Sequence, residues 1–160
     1  MSWRSRCHEL KEVVPKIVRV AYLFDAANPG SLLAQKELEA AARALGVRLR
    51  LTEIRSENDL EAAFTGITKE RVGALLVAAG PFETVHRQRI VDLAASSLLP
   101  AMYGARWFVD DGGLISYGVS IPDNFRRAAT YVDKILKGAK APGLTIPPSV
   151  QLRADQVIDP

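Results

Sequence analysis

Residues 17–46 read IVRVAYLFDAANPGSLLAQKELEAAARALG, and the order of patterns in this stretch decides the fold. The apolar run at residues 17–24 predicts a buried strand, and residues 25–30 predict a turn. The Ala-, Leu- and Glu-rich segment that follows predicts a helix from about Ser31 to Leu45, with Ser31 as its N-cap. A strand, a loop and a helix in this order are typical of a parallel α/β sheet.

The rest of the chain repeats this alternation of strand and helix patterns. Further strands are predicted at residues 47–54, 72–79, 100–103 and 114–117, and helices at residues 8–14, 56–67, 83–96 and 122–137. The side chains expected to be buried on the helices include Leu33, Leu38, Val85 and Ile90. The alternation predicts a three-layer α/β/α sandwich with a mainly parallel sheet, similar to flavodoxin and Rossmann folds.

The length and composition favour a single domain. A chain of 160 residues that is 48% hydrophobic can bury one good core. We expect an α/β lobe at residues 17–140, preceded by an extension with a short helix at residues 1–16. Residues 141–160 contain several prolines and are expected to form an extended tail.

Charge and cysteine content exclude several classes of protein. The net charge is +3, but the basic residues are scattered, so nucleic-acid binding is not predicted. Cys7 is the single cysteine, which excludes an internal disulfide. No apolar run is long enough to span a membrane, and the polar opening of the chain does not resemble a signal peptide. As written, the chain is expected to stay in the cytoplasm.

The candidate ligand site is the edge of the sheet where the strands end. Ligands of open parallel sheets bind beyond the carboxyl ends of the strands, where the strand-to-helix loops gather. The candidate residues in these loops are Asn28, Pro29, Gly30, Ser31, Gly80, Pro81, Phe82, Tyr103, Gly104 and Tyr117. The sequence therefore predicts a small-molecule pocket formed by four loops.

Two interpretations of these loops remain open. Asn28, the Gly30 N–H and Ser31 are able to hold an anionic ligand group, or they simply form a tight turn and a helix cap. Tyr103 and Tyr117 are able to contact a small molecule, or they are half-buried tyrosines that close the sheet.

No catalytic or cofactor motif is present. Strand three ends in Ala-Ala-Gly, which excludes a receiver-type phosphorylation site, and both the GxGxxG and the GxxxxGK[ST] patterns are absent. Neither histidine (His8, His86) has a nucleophile or a metal partner at a recognisable spacing, and Cys7 has no paired histidine. We therefore expect neither an enzyme nor a bound metal or cofactor.

Five segments together resemble one known family. They are residues 20–24 with 28–31, then 37–47, 100–104, 112–118 and 131–140, which read VAYLF…NPGS, ELEAAARALGV, PAMYG, GGLISYG and YVDKILKGAK. They resemble the substrate-binding proteins of ABC transporters with the type I periplasmic-binding fold, in the branch that includes binders of aromatic amino acids. The similarity extends from about Leu10 to the end of the chain.

The resemblance implies a periplasmic protein that delivers a small molecule to an ABC permease. In that family two lobes close over the ligand, and this chain resembles the second lobe only. The resemblance implies that a strand and a helix of the family are also missing near residues 140–144. Because half of the clamp would leave the ligand in water, we expect the isolated chain to bind weakly or not at all.

The last predicted helix leads to an expectation about assembly. In two-lobed relatives the segment after the final strand returns to the first lobe, so its apolar face is expected to lack cover here. The large side chains on that face are Phe125, Val132, Ile135 and Leu136. An exposed apolar stripe of this size favours self-association, and we expect a homodimer.

Other functions stay open at the level of sequence. The first alternative is a stand-alone flavodoxin-like protein, with residues 28–31 on a flavin phosphate and Tyr103 or Tyr117 on the ring. The second is an enzyme with an unrecognised site, and the third is a remnant without a ligand.

Overall fold

The computed structural model describes residues 3–118 and 120–137, and the chain divides into two compact units. The first unit is Met1–Val119 and the second is Ser120–Pro160. The predicted tail at residues 141–160 lies outside the described residues.

The first unit alternates strands and helices along the chain. Its strands are β1 (Arg19–Asp25), β2 (Arg48–Ile54), β3 (Ala74–Val77), β4 (Ala101–Tyr103) and β5 (Ile115–Ser116). Its helices are α1 (Trp3–Val13), α2 (Pro29–Ala44), α3 (Asp59–Lys69), α4 (Pro81–Val85), α5 (Arg87–Ser96) and α6 (Trp107–Asp110).

The five strands form one parallel sheet in the order β2-β1-β3-β4-β5. Strand order reverses direction between β1 and β3, as in doubly wound folds, so a crevice is expected at their carboxyl ends. The predicted α/β class with a parallel sheet is confirmed, and β2 lies at the predicted edge.

Each face of the sheet is covered by its own hydrophobic cluster. One face packs against α1 and α2 and contains Tyr22, Leu38 and Leu76. The other face packs against α3, α5 and α6 and contains Leu75 and Phe108, among others. Strands β1 and β3 are buried on both faces, which is why their sequences are almost continuously apolar.

The predicted helix at residues 83–96 was wrong in one respect, because it is two helices. His86 has φ −96° and ψ 18°, which ends α4 and starts α5. Ile90 is buried while Val85 is 74% exposed, because residues five positions apart already lie about 140° apart around a helix axis. Leu33 was also expected inside, but it is exposed because it lies about 140° around the axis of α2 from the buried Leu38, whereas Ala34, four residues before Leu38, faces the core.

The described part of the second unit is one helix, α7 (Ile121–Leu136). Ser120 is its N-cap, and the Ser120 hydroxyl accepts a hydrogen bond from the Asp123 N–H at 3.3 Å. Its large apolar side chains are exposed, with Phe125 at 72% and Leu136 at 81%.

Candidate functional site

The strand ends of β1, β3, β4 and β5 lie side by side at one edge of the sheet, which we call the carboxyl edge. The loops that begin there follow Asp25, Val77, Tyr103 and Ser116. Backbone hydrogen bonds continue the ladder into these loops: the Ala78 N–H donates to Leu23 at 3.0 Å and the Tyr117 N–H to Tyr103 at 2.9 Å. The four predicted loops therefore share one edge.

Two glycines let the loops after β3, β4 and β5 touch one another. A Cβ atom on Gly104 would lie 2.9 Å from the Ala79 Cβ, and a Cβ on Gly118 would overlap the Gly104 carbonyl oxygen. Only glycine fits such close backbone approaches. The space beside both residues is thus filled by neighbouring loop atoms.

The loop after β1 contains the N-cap of helix α2. Asn28, not Ser31, is the N-cap of α2, because its Oδ1 accepts the Gly30 N–H at 3.0 Å and Pro29 takes the first helical position. Ser31 is buried within the first turn, and its hydroxyl interacts with the Tyr22 hydroxyl. The expected Ser31 cap was therefore wrong, and Asn28 Nδ2 remains as the side-chain donor of this loop.

Arg6 of α1 brings a positive charge to the same edge. Its Nη1 lies 3.1 Å from the position that a Cβ on Gly104 would occupy. It interacts electrostatically with Tyr22 and Tyr117, and burial lowers the pKa of its guanidinium. An arginine held among tyrosines is suited to binding a carboxylate.

The loop after β3 contributes Glu83, whose side chain is fully buried. Its Oε1 accepts the Asp25 N–H at 2.7 Å, so it ties the β3 loop to the end of β1. Burial, and next the nearby Asp25 charge, raise the pKa of Glu83. Pro81 starts α4, with Gly80 as the residue before it.

The aromatic candidates divide between the two faces of the sheet. Tyr103 is buried in the core and stacks on Phe108 with ring centroids 5.0 Å apart, and burial raises its pKa to about 12. Tyr117 packs half-buried on the opposite face. Phe82 is half-buried, with its ring centroid 4.4 Å from that of His86. Because Tyr103 is inside the core, it cannot stack on a flavin ring.

Sequence reasoning missed Arg6, Tyr22 and Glu83. Glu83 carried a signal, since an acidic residue three positions after a helix N-cap at Gly80 is half of a capping box. Arg6 carried none, because only the packing of α1 against the sheet brings it to the carboxyl edge.

The described residues contain neither a metal-binding cluster nor a membrane-spanning helix. Within residues 3–118 and 120–137, no cluster of His, Cys, Asp or Glu is arranged to hold a metal. Over the same ranges, no helix combines the length and the apolar character needed to cross a bilayer. An open groove of about 360 Å³, lined by Leu98, Pro100 and Leu114 among others, lies by the start of β4 rather than at the carboxyl edge.

The chain matches the model of a known protein family. The model of the family described as ABC transporter substrate binding protein matches residues 4–160. No curated protein sequence matches the chain.

Solved structures share the fold at low sequence identity. A conserved domain protein from Vibrio cholerae is 18% identical with a TM-score of 0.74, over 96% of this chain and 59% of its own. The ABC domain in complex with L-Trp from Streptococcus pneumoniae is 23% identical with a TM-score of 0.73, over 98% of this chain and 62% of its own. A ligand-free, open substrate-binding protein with adhesive properties from Clostridium difficile is 16% identical with a TM-score of 0.68, over 86% of this chain and 47% of its own. The chain thus spans less than two thirds of the length of each of these proteins.

Proposed function

Since the chain belongs to the ABC transporter substrate-binding protein family, we propose that its first unit is a solute-binding lobe that contacts a small molecule at the carboxyl edge without catalysis. The supporting observation is that the loops after β1, β3, β4 and β5 share this edge with the guanidinium of Arg6. Proteins of this family are generally non-catalytic and typically act in the periplasm or outside the cell. By the same argument, an ABC permease is the proposed partner and the periplasm the proposed location.

The proposed ligand is a small molecule with a carboxylate, such as an amino acid. Arg6 supplies the positive charge, and the Asn28 Nδ2 supplies a further hydrogen-bond donor. The rim of the proposed ligand site would be formed by four of the candidates, Tyr117, Gly80, Pro81 and Phe82. Tyr103 and Gly104 would contribute backbone, because the Tyr103 ring is in the core.

Affinity is expected to be low in the isolated chain. Small-molecule sites bury most of the ligand surface, whereas the carboxyl edge of one lobe covers one side of it. A dissociation constant on the order of millimolar corresponds to about 4 kcal/mol of binding free energy, which a charge-assisted arginine contact and partial burial are able to supply.

Three probes that differ by one group test this proposal. L-Tryptophan carries both a carboxylate and an ammonium, indole-3-propionate lacks the ammonium, and tryptamine lacks the carboxylate. Titrations followed by amide NMR shifts should show the two carboxylates perturbing residues 26–31 and 80–83, with tryptamine without effect. Two outcomes would contradict the proposal. One is that only tryptamine perturbs these residues, and the other is that no member of a wider panel of amino acids and carboxylates does.

A matched pair of arginine variants locates the contact. Arg6→Lys keeps the charge but loses the planar guanidinium, so carboxylate affinity should fall about tenfold. Arg106→Lys changes an arginine whose side chain is 88% exposed and should leave affinity unchanged. Equal effects of the two variants would remove Arg6 from the site.

We also propose that two copies of the chain pair through α7. The exposed apolar face of this helix consists of Phe125, Val132, Ile135 and Leu136. All charged residues of the helix lie on its other side: Asp123, Arg126, Arg127, Asp133 and Lys134. A charge-free apolar face is able to pack against a second copy of itself. A monodisperse monomer in light scattering at micromolar concentration would contradict this pairing.

A further inference from the structure

Glu83 is a buried acid with one oxygen unused. Its side chain is 0% exposed, and its Oε1 accepts the Asp25 N–H at 2.7 Å. Its Oε2 is buried and has no hydrogen-bond partner among the residues that the structure describes. A buried polar atom without a partner costs free energy, so its presence beside a ligand site calls for an explanation.

The unused oxygen lies next to the candidate ligand donor. A Cβ atom on Gly80 would lie 2.6 Å from Glu83 Oε2 and 2.8 Å from Asn28 Nδ2. The carboxyl and the amide thus meet over Gly80, where the absence of a side chain leaves them room. A ligand oxygen that reaches the Asn28 amide therefore comes close to the Glu83 carboxyl.

The charge state of Glu83 is set by groups on several elements. Asp25 of β1 adds a negative charge beside it, and Tyr22 of β1 interacts with it electrostatically. Arg6 of α1 acts on Tyr22 and Tyr117. His86, at the end of α4, faces Phe82 and lies 3.8 Å from Glu57. Burial of Glu83, and the negative charge of the half-buried Asp25 beside it, favour the neutral acid. The backbone N–H groups of Glu83, Asp25 and Gly80 near the carboxyl favour the carboxylate, but burial outweighs them and the pKa of Glu83 is raised.

We propose that the carboxyl edge binds an anionic ligand group together with a proton on Glu83, so that anion uptake and proton uptake are linked. This inference rests on the proposed function of the same site. A ligand carboxylate beside Asn28 repels an ionised Glu83, and it is able to accept a hydrogen bond from the protonated Oε2. By thermodynamic reciprocity, the ligand raises the pKa of Glu83 and protonation of Glu83 raises the affinity for the ligand.

The test measures affinity for indole-3-propionate against pH by NMR titration. This probe stays ionised from about pH 6 upward, so its own titration does not contribute there. With strict linkage, affinity falls by up to about tenfold per pH unit above the pKa of Glu83. Glu83→Gln keeps an acceptor for the Asp25 N–H but has no proton to exchange, and its affinity should not vary with pH.

Two further measurements make the outcome decisive. His86→Gln removes the neighbouring imidazole and should keep the pH dependence of the parent chain; loss of that dependence would assign it to His86 and overturn the proposal. Thermal unfolding of Glu83→Gln without ligand verifies that the variant folds. If the variant does not fold, the pKa of Glu83 is measured in the parent chain instead, from the chemical shift of its carboxyl carbon as a function of pH. A pKa that is the same with and without the probe overturns the proposal.

The possible failures are distinguishable. Binding of indole-3-propionate that does not vary with pH, or that strengthens as pH rises, overturns the linked proton and leaves the proposed function intact. No binding of L-tryptophan or indole-3-propionate at any pH removes both.

Discussion

Helices α2 and α7 have the same length and similar N-terminal caps, yet the apolar side chains of one are buried and those of the other are exposed. Each has 16 residues, a proline in its first turn and a polar N-cap whose side chain accepts a backbone N–H. In α2 one face is buried, including Leu38 with no exposed surface. In α7 the corresponding apolar side chains, such as Phe125 and Leu136, are exposed. Amphipathic patterning thus defines a helix and its apolar face, but it does not provide the surface that covers the face.

The largest expected difference between the two helices is in the cost of removing an apolar side chain. Leu38→Ala in α2 should lower the free energy of unfolding by about 2–5 kcal/mol, because it leaves a cavity in a closed core. Leu136→Ala in α7 should change it by less than about 0.5 kcal/mol, since the side chain is exposed. Urea unfolding of both variants measures the difference. Similar losses in the two would show that Leu136 is buried in solution.

The second prediction concerns the proposed pairing of α7. Phe125→Asp places a charge on the apolar face and should weaken self-association by at least about tenfold, because a buried aromatic contributes roughly 1.5–3 kcal/mol. Thr130→Asp on the opposite face is the matched control and should leave the dimer intact. Analytical ultracentrifugation measures both. Equal association constants for the two variants would exclude this face as the interface.

The two N-caps provide a smaller contrast. Asn28→Ala should cost about 1 kcal/mol of global stability, because α2 has a buried face that includes Leu38, so we expect it to unfold together with the sheet. Ser120→Ala removes an equivalent cap, but it should act on α7 locally. Amide hydrogen exchange distinguishes the two, with faster exchange throughout the first unit in Asn28→Ala and only in α7 in Ser120→Ala. Global acceleration in Ser120→Ala would contradict the local effect.

The smallest expected effect is that the stability of the first unit and the stability of α7 respond to pH with opposite signs. Burial raises the pKa of Glu83, so the first unit should lose stability as pH rises from the unfolded value of a glutamate through the folded pKa. Hydrogen bonds from Ser120 and Arg126 lower the pKa of Asp123, so α7 should lose helix as pH falls through that pKa. Residue-resolved hydrogen exchange against pH measures both. Glu83→Gln and Asp123→Asn should each abolish one of the two trends.

The strands and most helices of this chain were predictable because their signals are local. The apolar run ending at Phe24, the period-two pattern of β2 and the fully apolar β3 each match a single type of strand. The helix predicted at residues 56–67 was also readable: α3 is Asp59–Lys69, and the Asp59 carboxylate accepts the N–H of Ser56 just before it at 2.8 Å. The start of α2 was predicted wrongly because two nearby residues, Asn28 and Ser31, are both able to act as a helix N-cap.

The site was only partly predictable, because its charges come from distant segments. The sequence indicated the four loops, since parallel strands end at one edge. It did not indicate that Tyr103 and Tyr117 lie on opposite faces of the sheet, because the register of each short strand fixes this. Arg6 is remote in sequence from the loops that it meets.

The amino-acid sequence by itself determined the alternating α/β class, the parallel sheet and the edge at which the loops gather, because hydrophobic periodicity and turn residues act over a few positions. Only the tertiary structure decided which helix buries its apolar face, and only it brought Arg6 and Glu83 to that edge. The physical reason is that burial and charge proximity are properties of pairs of segments, and a pattern within one segment carries no information about its partner.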